Sequence, residues 1–293
     1  MGKDTILCIG NMAIDHKITQ DEHEVLVGGA AYRVCLGLML FGQSVKLISA
    51  IGKESLWEDI LSVLSKNKVD TTEICVFDSS IQFITTYDAS SNISHFSCEN
   101  IHLADELVRF SLGLDLKEDK FIHICPFEAS KQSELILKAN ASGKIVSSMI
   151  HYSSLVDGAR NLYLDILPHL DFLFLNEEEA KFLAGSENDW HQNGKYLSRF
   201  LRQILFITLA ENGSAAFMSG ELICHCPPIS LNITNTLGAG DCFVGGALSG
   251  YLLSMNPLQC LKMGSLSSML ALTGRDHNTF IRFLDFEKAF YDK

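Results

Sequence analysis

Short, wholly apolar runs alternate along this chain with longer stretches of helical periodicity, and that rhythm leaves few architectures open. Thr5–Gly10, Val45–Ile51, Lys120–Cys125, Lys144–Met149, Asp171–Leu175 and Gln203–Leu209 read as buried strands. Between them, helical patterns run over Ala30–Phe41, Leu56–Asn67, Ser130–Ser142, Ser154–Leu167 and Glu177–Ala184, and Gly42, Gly143 and Gly185 close three of these. Strand–helix alternation of this kind predicts an α/β fold with a mainly parallel central sheet and helices on both faces. Two stretches break the rhythm. His23–Val27 precedes Gly28-Gly29, and Gln82–Tyr87 is joined to Ile93–Phe96 by the polar segment Asp88–Asn92, as in a β-hairpin. Strands outside the βα layers predict a small β-sheet lid, inserted at about 16–29 and 81–99 of a single domain spanning 1–293. No internal repeat, low-complexity tract or interdomain linker stands out.

Composition excludes some partners. The net charge is −12, without a dense Lys/Arg run, which argues against nucleic acid or an anionic membrane surface. It leaves room for a phosphate ligand, because converging backbone N–H groups bind anions on acidic proteins too. The N-terminal MGKDTILCIGNMAID enters a strand pattern at once, with no signal-peptide pattern, and no apolar run reaches the roughly 18 residues of a membrane span. The nine cysteines are scattered; only Cys224 and Cys226 are close, in a strand-like stretch where i and i+2 share a face. Reduced thiols in a cytoplasmic protein are the expectation, with a metal or redox role for that pair as the alternative.

Chemistry concentrates in Thr234–Gly250, TNTLGAGDCFVGGALSG. A β-type run, Ile229–Ile233, feeds the turn Gly238-Ala239-Gly240, and a helical pattern opens at Asp241. Convergent turn amides and a helix start make an anion hole, with a carboxylate at its mouth. That arrangement suits phosphoryl transfer to a hydroxyl: the carboxylate takes the proton while the amides hold the developing charge. The plainer alternative is that Asp241 caps the helix.

The string TNTLGAGDCFVGGAL resembles the C-terminal signature of the ribokinase-like (PfkB-type) carbohydrate and nucleoside kinases, DTxGAGDxFxxG, with Thr236, Gly238, Ala239, Gly240, Asp241, Phe243 and Gly246 in place. The resemblance implies a ribokinase-like fold, ATP and Mg²⁺ as cofactors with K⁺ as a candidate monovalent cation, Asp241 as general base and Gly238–Gly240 as the anion hole. Earlier segments agree in order. Asp15, in GNMAIDH, stands where the family has a hydroxyl-binding Asp; on its own it reads as a polar turn or cap residue. GGAAYRVCLGLMLFG (Gly28–Gly42) resembles the N-terminal signature, which implicates Gly28, Gly29 and Arg33 in substrate binding. Asn176-Glu177-Glu178-Glu179 matches the NxxE motif, so Asn176 and Glu179 would organise Mg²⁺-bound water near the phosphates; the alternative is a capped helix start. ITLAENGSAAF resembles the nucleotide-side segment, retaining Thr208 and Gly213, and Gly274 and Asn278 fall where the adenine pocket is expected.

Four departures from the pattern bear on substrate. Arg33 replaces a common Asn, implying either an acidic or phosphorylated substrate or an ion pair with a lid acid. The family's GxDxxG reads Gly52–Trp57 here, Asn235 replaces the signature's first Asp, and Ala210 replaces a Gly beside the nucleotide. The lid segment resembles bacterial adenosine kinase-like members. Its aromatics Phe83 and Phe96, with Tyr32, either stack on a base or pack the lid. The reading that follows is an ATP-dependent kinase of a small sugar or nucleoside, with a homodimer through the lid as an open option. A non-catalytic binding member of the same fold is the alternative. A dinucleotide oxidoreductase is disfavoured, since no GxGxxG follows the first strand.

Overall fold

The computed structural model describes residues 5–88, 93–116, 119–151, 158–229 and 238–272. Its strands, in chain order, are β1 (Ile6–Ile9), β2 (Ala13–Ile18), β3 (His23–Gly28), β4 (Val45–Ile51), β5 (Val69–Asp70), β6 (Ile74–Val76) and β7 (Ile81–Tyr87). They continue with β8 (Ile93–Glu99), β9 (Phe121–Ile124), β10 (Ile145–Met149), β11 (Phe172–Asn176), β12 (Ile204–Thr208), β13 (Ser214–Met218) and β14 (Glu221–Cys226). The helices are α1 (Ala30–Leu40), α2 (Leu56–Lys66), α3 (His102–Gly113), α4 (Ala129–Ala141) and α5 (Ala159–Ile166). After these come α6 (Glu177–Ala184), α7 (Trp190–Leu197), α8 (Ala239–Leu252) and α9 (Pro257–Leu272).

Ten strands form the central sheet in the order β14-β13-β12-β11-β10-β9-β1-β4-β5, with β6 also on β4. Pairings from β12 through to β5 are parallel, and β13 and β14 add an antiparallel edge. The parallel strands are apolar on both sides because helices cover both faces. Alternate residues feed opposite cores: Leu7 and Ile9 face the side of α3–α7, while Ile6 and Cys8 face the side of α1, α2, α8 and α9. On the second face Phe121, Phe172 and Phe206 stack from strand to strand at 5.9 and 6.4 Å.

Every strand and helix read from the βα rhythm is present within two residues wherever it is described, save the start of α5, whose expected first turn lies outside the described residues. Helices α3, α7 and α9 and strands β5, β6 and β13 went unread. A separate four-stranded sheet, β3-β2-β7-β8, forms the lid. It starts at Ala13, ahead of the boundary at about 16 expected from the sequence. Asp15 therefore lies in a strand rather than in a turn, opposite Leu26 on β3 and Phe83 on β7.

Helix α8 has an unusual mount. A Cβ on Gly245 would lie 2.2 Å from the Val34 carbonyl oxygen, and one on Gly37 would lie 2.6 Å from that of Cys242. Gly246 meets the Met263 carbonyl of α9 in the same way, at 2.4 Å. Glycine at these sites lets α1, α8 and α9 touch backbone to backbone. Tyr32, one of the three aromatics considered for base stacking, belongs to this core at 5% exposure, whereas Phe83 and Phe96 stack on each other at 6.1 Å across the lid hairpin.

Candidate active site

Strand β1 lies between β4 and β9, and the chain leaves it in opposite directions along the sheet, so the crevice at the carboxyl ends of β1 and β9 is the topological switch point. Open α/β sheets take their ligands there. The sequence-predicted residues that are described all lie along this edge or on elements that cover it.

Asp15 is buried, at 7% exposure. A Cβ on Gly28 would lie 1.9 Å from Asp15 Oδ2, so the first glycine of the pair makes room for this carboxyl. Gly29 is the N-cap of α1, and one turn on, Arg33 Nη2 donates to Asp15 Oδ2 at 2.5 Å. Of the two accounts of Arg33, the ion pair with a lid acid is thus realised.

Across the crevice, Gly238 is the N-cap of α8 in the left-handed region (φ 77°). The helix begins at Ala239, two residues before the expected start, because Ala239 and Gly240 carry no apolar period for a sequence pattern to register. Asp241 is therefore the third helical residue and not the cap. The N-cap offers no side chain to the first-turn amides. A Cβ on Gly238 would lie 2.2 Å from both Cδ and Nη1 of Arg33, so the Arg33 side chain fills that space. One guanidinium thus abuts the lid acid through Nη2 and the glycine turn through Nη1.

Charge follows the geometry. Burial pushes the Asp241 carboxyl above its ordinary range, with Arg33 and His151 pulling it back. Asp15 is raised too, by burial first; Arg33 opposes this and the Asp241 charge adds to it. Two carboxylates therefore share one guanidinium. Cys242, next along α8, is pushed up to about 12 by burial and remains a thiol.

On the nucleotide side, Asn176 ends β11 and pairs in register with Thr208 at the end of β12. Asn176 and Glu179 form a reciprocal capping box: Glu179 N–H donates to Asn176 Oδ1 at 2.8 Å, and Asn176 N–H donates to Glu179 Oε2 at 2.7 Å. The capped helix start is therefore present at the motif. Side chains here and at Thr208 offer oxygen donors, which fit hard Mg²⁺ held largely through water. Among the described residues, no three His, Cys, Asp or Glu side chains converge to hold an ion by themselves. Gly213 follows a short 3-10 turn, Ala210–Asn212, and Ala210 itself is left-handed at φ 48°. The expected adenine-pocket residues Gly274 and Asn278, together with Asn235 and Thr236, lie outside the described residues. All nine cysteines, Cys224 and Cys226 included, are unpaired by disulfides.

Sequence reading missed several participants. Asn11, between β1 and β2, has a buried Oδ1 with no hydrogen-bond partner among the described residues. Ser268 of α9 donates to the Ala239 carbonyl at 2.9 Å and so steadies the glycine turn. His151, after β10, approaches the Asp241 charge. Glu54, in the altered GxDxxG stretch, accepts from Ser80 N–H at 2.8 Å and Trp57 Nε1 at 3.1 Å, tying the start of α2 to the start of β7. Asn11, Ser268 and His151 have no sequence signal beyond their residue type, whereas Glu54 stands in a stretch that already departs from the family pattern.

The sheet order, the β lid and the switch-point site define a ribokinase-like α/β protein. Its chain matches the pfkB family of carbohydrate kinases over residues 3–281 and belongs to that family. It is 25% identical over 262 residues to a cytidine kinase of Thermococcus kodakarensis, covering 88% of this chain and 92% of that one. In fold it is similar to the nucleoside kinase of Methanocaldococcus jannaschii, with TM-score 0.79 and 17% identity over 96% of this chain and 98% of the other. It is also similar to a ribokinase II candidate from Escherichia coli solved with ATP and Mg²⁺, with TM-score 0.78 and 18% identity over 98% and 99% of the two chains. At these identities the structural likenesses speak for the fold.

Proposed function

We propose that this protein is an ATP-dependent kinase that transfers the γ-phosphoryl group to a hydroxyl of a sugar or nucleoside, with Asp241 as the general base. The observation that carries this is the juxtaposition of Asp15, Arg33 and Asp241 beside the uncapped start of α8, at the sheet's switch point. An acceptor hydroxyl between Asp15 and Asp241 would hand its proton to the Asp241 carboxylate as its oxygen attacks phosphorus. The bond from γ-phosphorus to the β-phosphate oxygen breaks, and ADP leaves with the electron pair. The first-turn amides of α8 face the charge that develops on the phosphoryl oxygens. The buried Asn11 Oδ1 supplies an acceptor for a second substrate hydroxyl.

Mg²⁺, held by phosphate oxygens and by water on Asn176 and Glu179, would offset phosphate charge; K⁺ is a candidate beside the turn. A homodimer through the lid fits the same reading, because β3 and β8 are edge strands carrying exposed Val25 and Phe96.

The test is ADP release from Mg·ATP across pentoses, hexoses, sugar phosphates, sugar acids and nucleosides, with Asp241→Asn in parallel. Turnover with one acceptor class, reduced by about 10²–10⁴ in the variant, is expected. Full activity in Asp241→Asn would remove the base assignment. Silence across the panel with nucleotide still bound would replace the kinase with a binding protein of this fold.

A further inference from the structure

Arg33 remains without a function in the reaction just described, and its surroundings give it one. Its charge is already opposed by two carboxylates. Nη2 is committed to Asp15, and Asp241 feels the same cation. The cluster of Asp15, Arg33 and Asp241 carries a formal charge of about −1 with both acids ionised, before ATP adds its own negative charge. An acidic or phosphorylated acceptor would bring a further negative charge to the Asp15 side of this buried site, where Nη2 of the guanidinium is already taken. Burying an uncompensated charge is costly. The alternative of an anionic acceptor is therefore disfavoured by the same ion pair that explains how Arg33 is held.

The other end of the guanidinium lies elsewhere. Nη1 and Cδ occupy the space over Gly238, the residue that opens the α8 turn. Arg carries five N–H donors in a planar fork, and a fork of this kind matches phosphoryl oxygens. An α1 residue has thus been brought to the anion hole, on the line between the acceptor acid and the amides that face the γ-phosphoryl group. The backbone contacts Gly37–Cys242 and Gly245–Val34 hold the two helices at that distance. A charge fixed in advance, where charge develops, lowers the barrier without reorganisation.

We propose that Arg33 contacts the transferring phosphoryl group and neutralises its developing charge, and that the acceptor reaching Asp15 is uncharged. This rests on the kinase reading and adds a specific residue and substrate class to it. Asp15, in this role, both receives the acceptor hydroxyl and anchors the guanidinium.

The experiment compares wild type, Arg33→Gln and Arg33→Lys in three readouts. These are kcat and KM on neutral and anionic acceptors, ATP hydrolysis without acceptor, and binding of ADP with and without aluminium fluoride as a phosphoryl mimic. The expected result for Arg33→Gln is a fall in kcat of about 10²–10³ on every acceptor, with KM for ATP within a few-fold. The extra affinity that aluminium fluoride gives to ADP should be lost in the same variant. Arg33→Lys, which keeps the charge and loses the fork, should lie between the two and serves alone if Arg33→Gln does not fold.

A role confined to holding Asp15 would raise KM for the acceptor and leave the aluminium fluoride effect intact, and that result overturns the proposal. So would a wild type that prefers anionic acceptors and loses only that preference in Arg33→Gln. Failure of the kinase reading looks different: the wild type itself then turns over nothing.

Discussion

His123 sits in the middle of β9, fully buried, with Nδ1 3.0 Å from Ser147 Oγ and Nε2 without a hydrogen-bond partner among the described residues. Burial drives its pKa from the ordinary 6.5 down to about 4. The native protein therefore holds this ring neutral at pH values where the unfolded chain would protonate it. Stability from this group is complete above about pH 6.5 and is lost as the pH falls towards 4, since the unfolded state binds the extra proton throughout that window. A gap of about 2.5 units corresponds to about 3.4 kcal/mol in full, of which about 2 kcal/mol disappears between pH 7.5 and pH 5. The raised carboxyls of Asp15 and Asp241 act in the opposite direction, because the native state binds their protons more readily. The comparison with His123→Gln isolates the histidine, as every other group is common to both proteins. Urea unfolding at pH 7.5 and pH 5 should show the wild type losing about 2 kcal/mol more than the variant across that interval. Equal losses, within about 0.5 kcal/mol, would mean that His123 is solvated or already charged in the native state.

Other expectations concern the active-site frame. Gly245→Ala drives a methyl group into the Val34 carbonyl and should cost about 1–3 kcal/mol in urea unfolding while lowering kcat; Gly113→Ala, with nothing within 4 Å, should be neutral or stabilising. Ala210→Gly relieves a left-handed alanine and should stabilise by about 0.5–1 kcal/mol, after the entropy that glycine adds to the unfolded chain. In a pH profile of kcat/KM, the acid limb should lie above the ordinary Asp range of about 3.9, because burial raises Asp241 and catalysis needs its carboxylate. Arg33→Gln should move that limb higher, since it removes a charge that favours ionised Asp241.

Much of this was legible in the sequence where the determining interactions are local. The parallel strands announce themselves as apolar runs, and GAGD stands at the junction of turn and helix, where a tight turn leaves few choices. At the NxxE stretch the sequence offered a capped helix start as the alternative to a Mg²⁺ motif, and the structure contains that cap as a reciprocal Asn176–Glu179 box. What escaped depends on distant parts of the chain. Asp15 and Arg33 are 18 residues apart and meet because β2 returns towards α1; the sequence offered an ion pair with a lid acid without naming the acid. Gly37 and Gly245 form one contact across more than half the chain. Ser268 reaches Ala239 from α9, and a lone serine in an apolar helix gives no hint of it. Helix α3 was missed because His102–Gly113 follows a β-hairpin and mixes charges with a short apolar period.

The close seating of α1 on α8 bears on how the site can move. Arg33 and Asp241 ride on two helices in backbone contact, so no side-chain layer between them can yield, and their separation is set as firmly as the packing of the frame. Asp15 rides on the lid sheet instead. Of the three charged groups, two are therefore fixed to the body and one to the cover. The hydrogen bond from Arg33 to Asp15 works as a latch across that joint, and any tilt of the lid away from the body must stretch it.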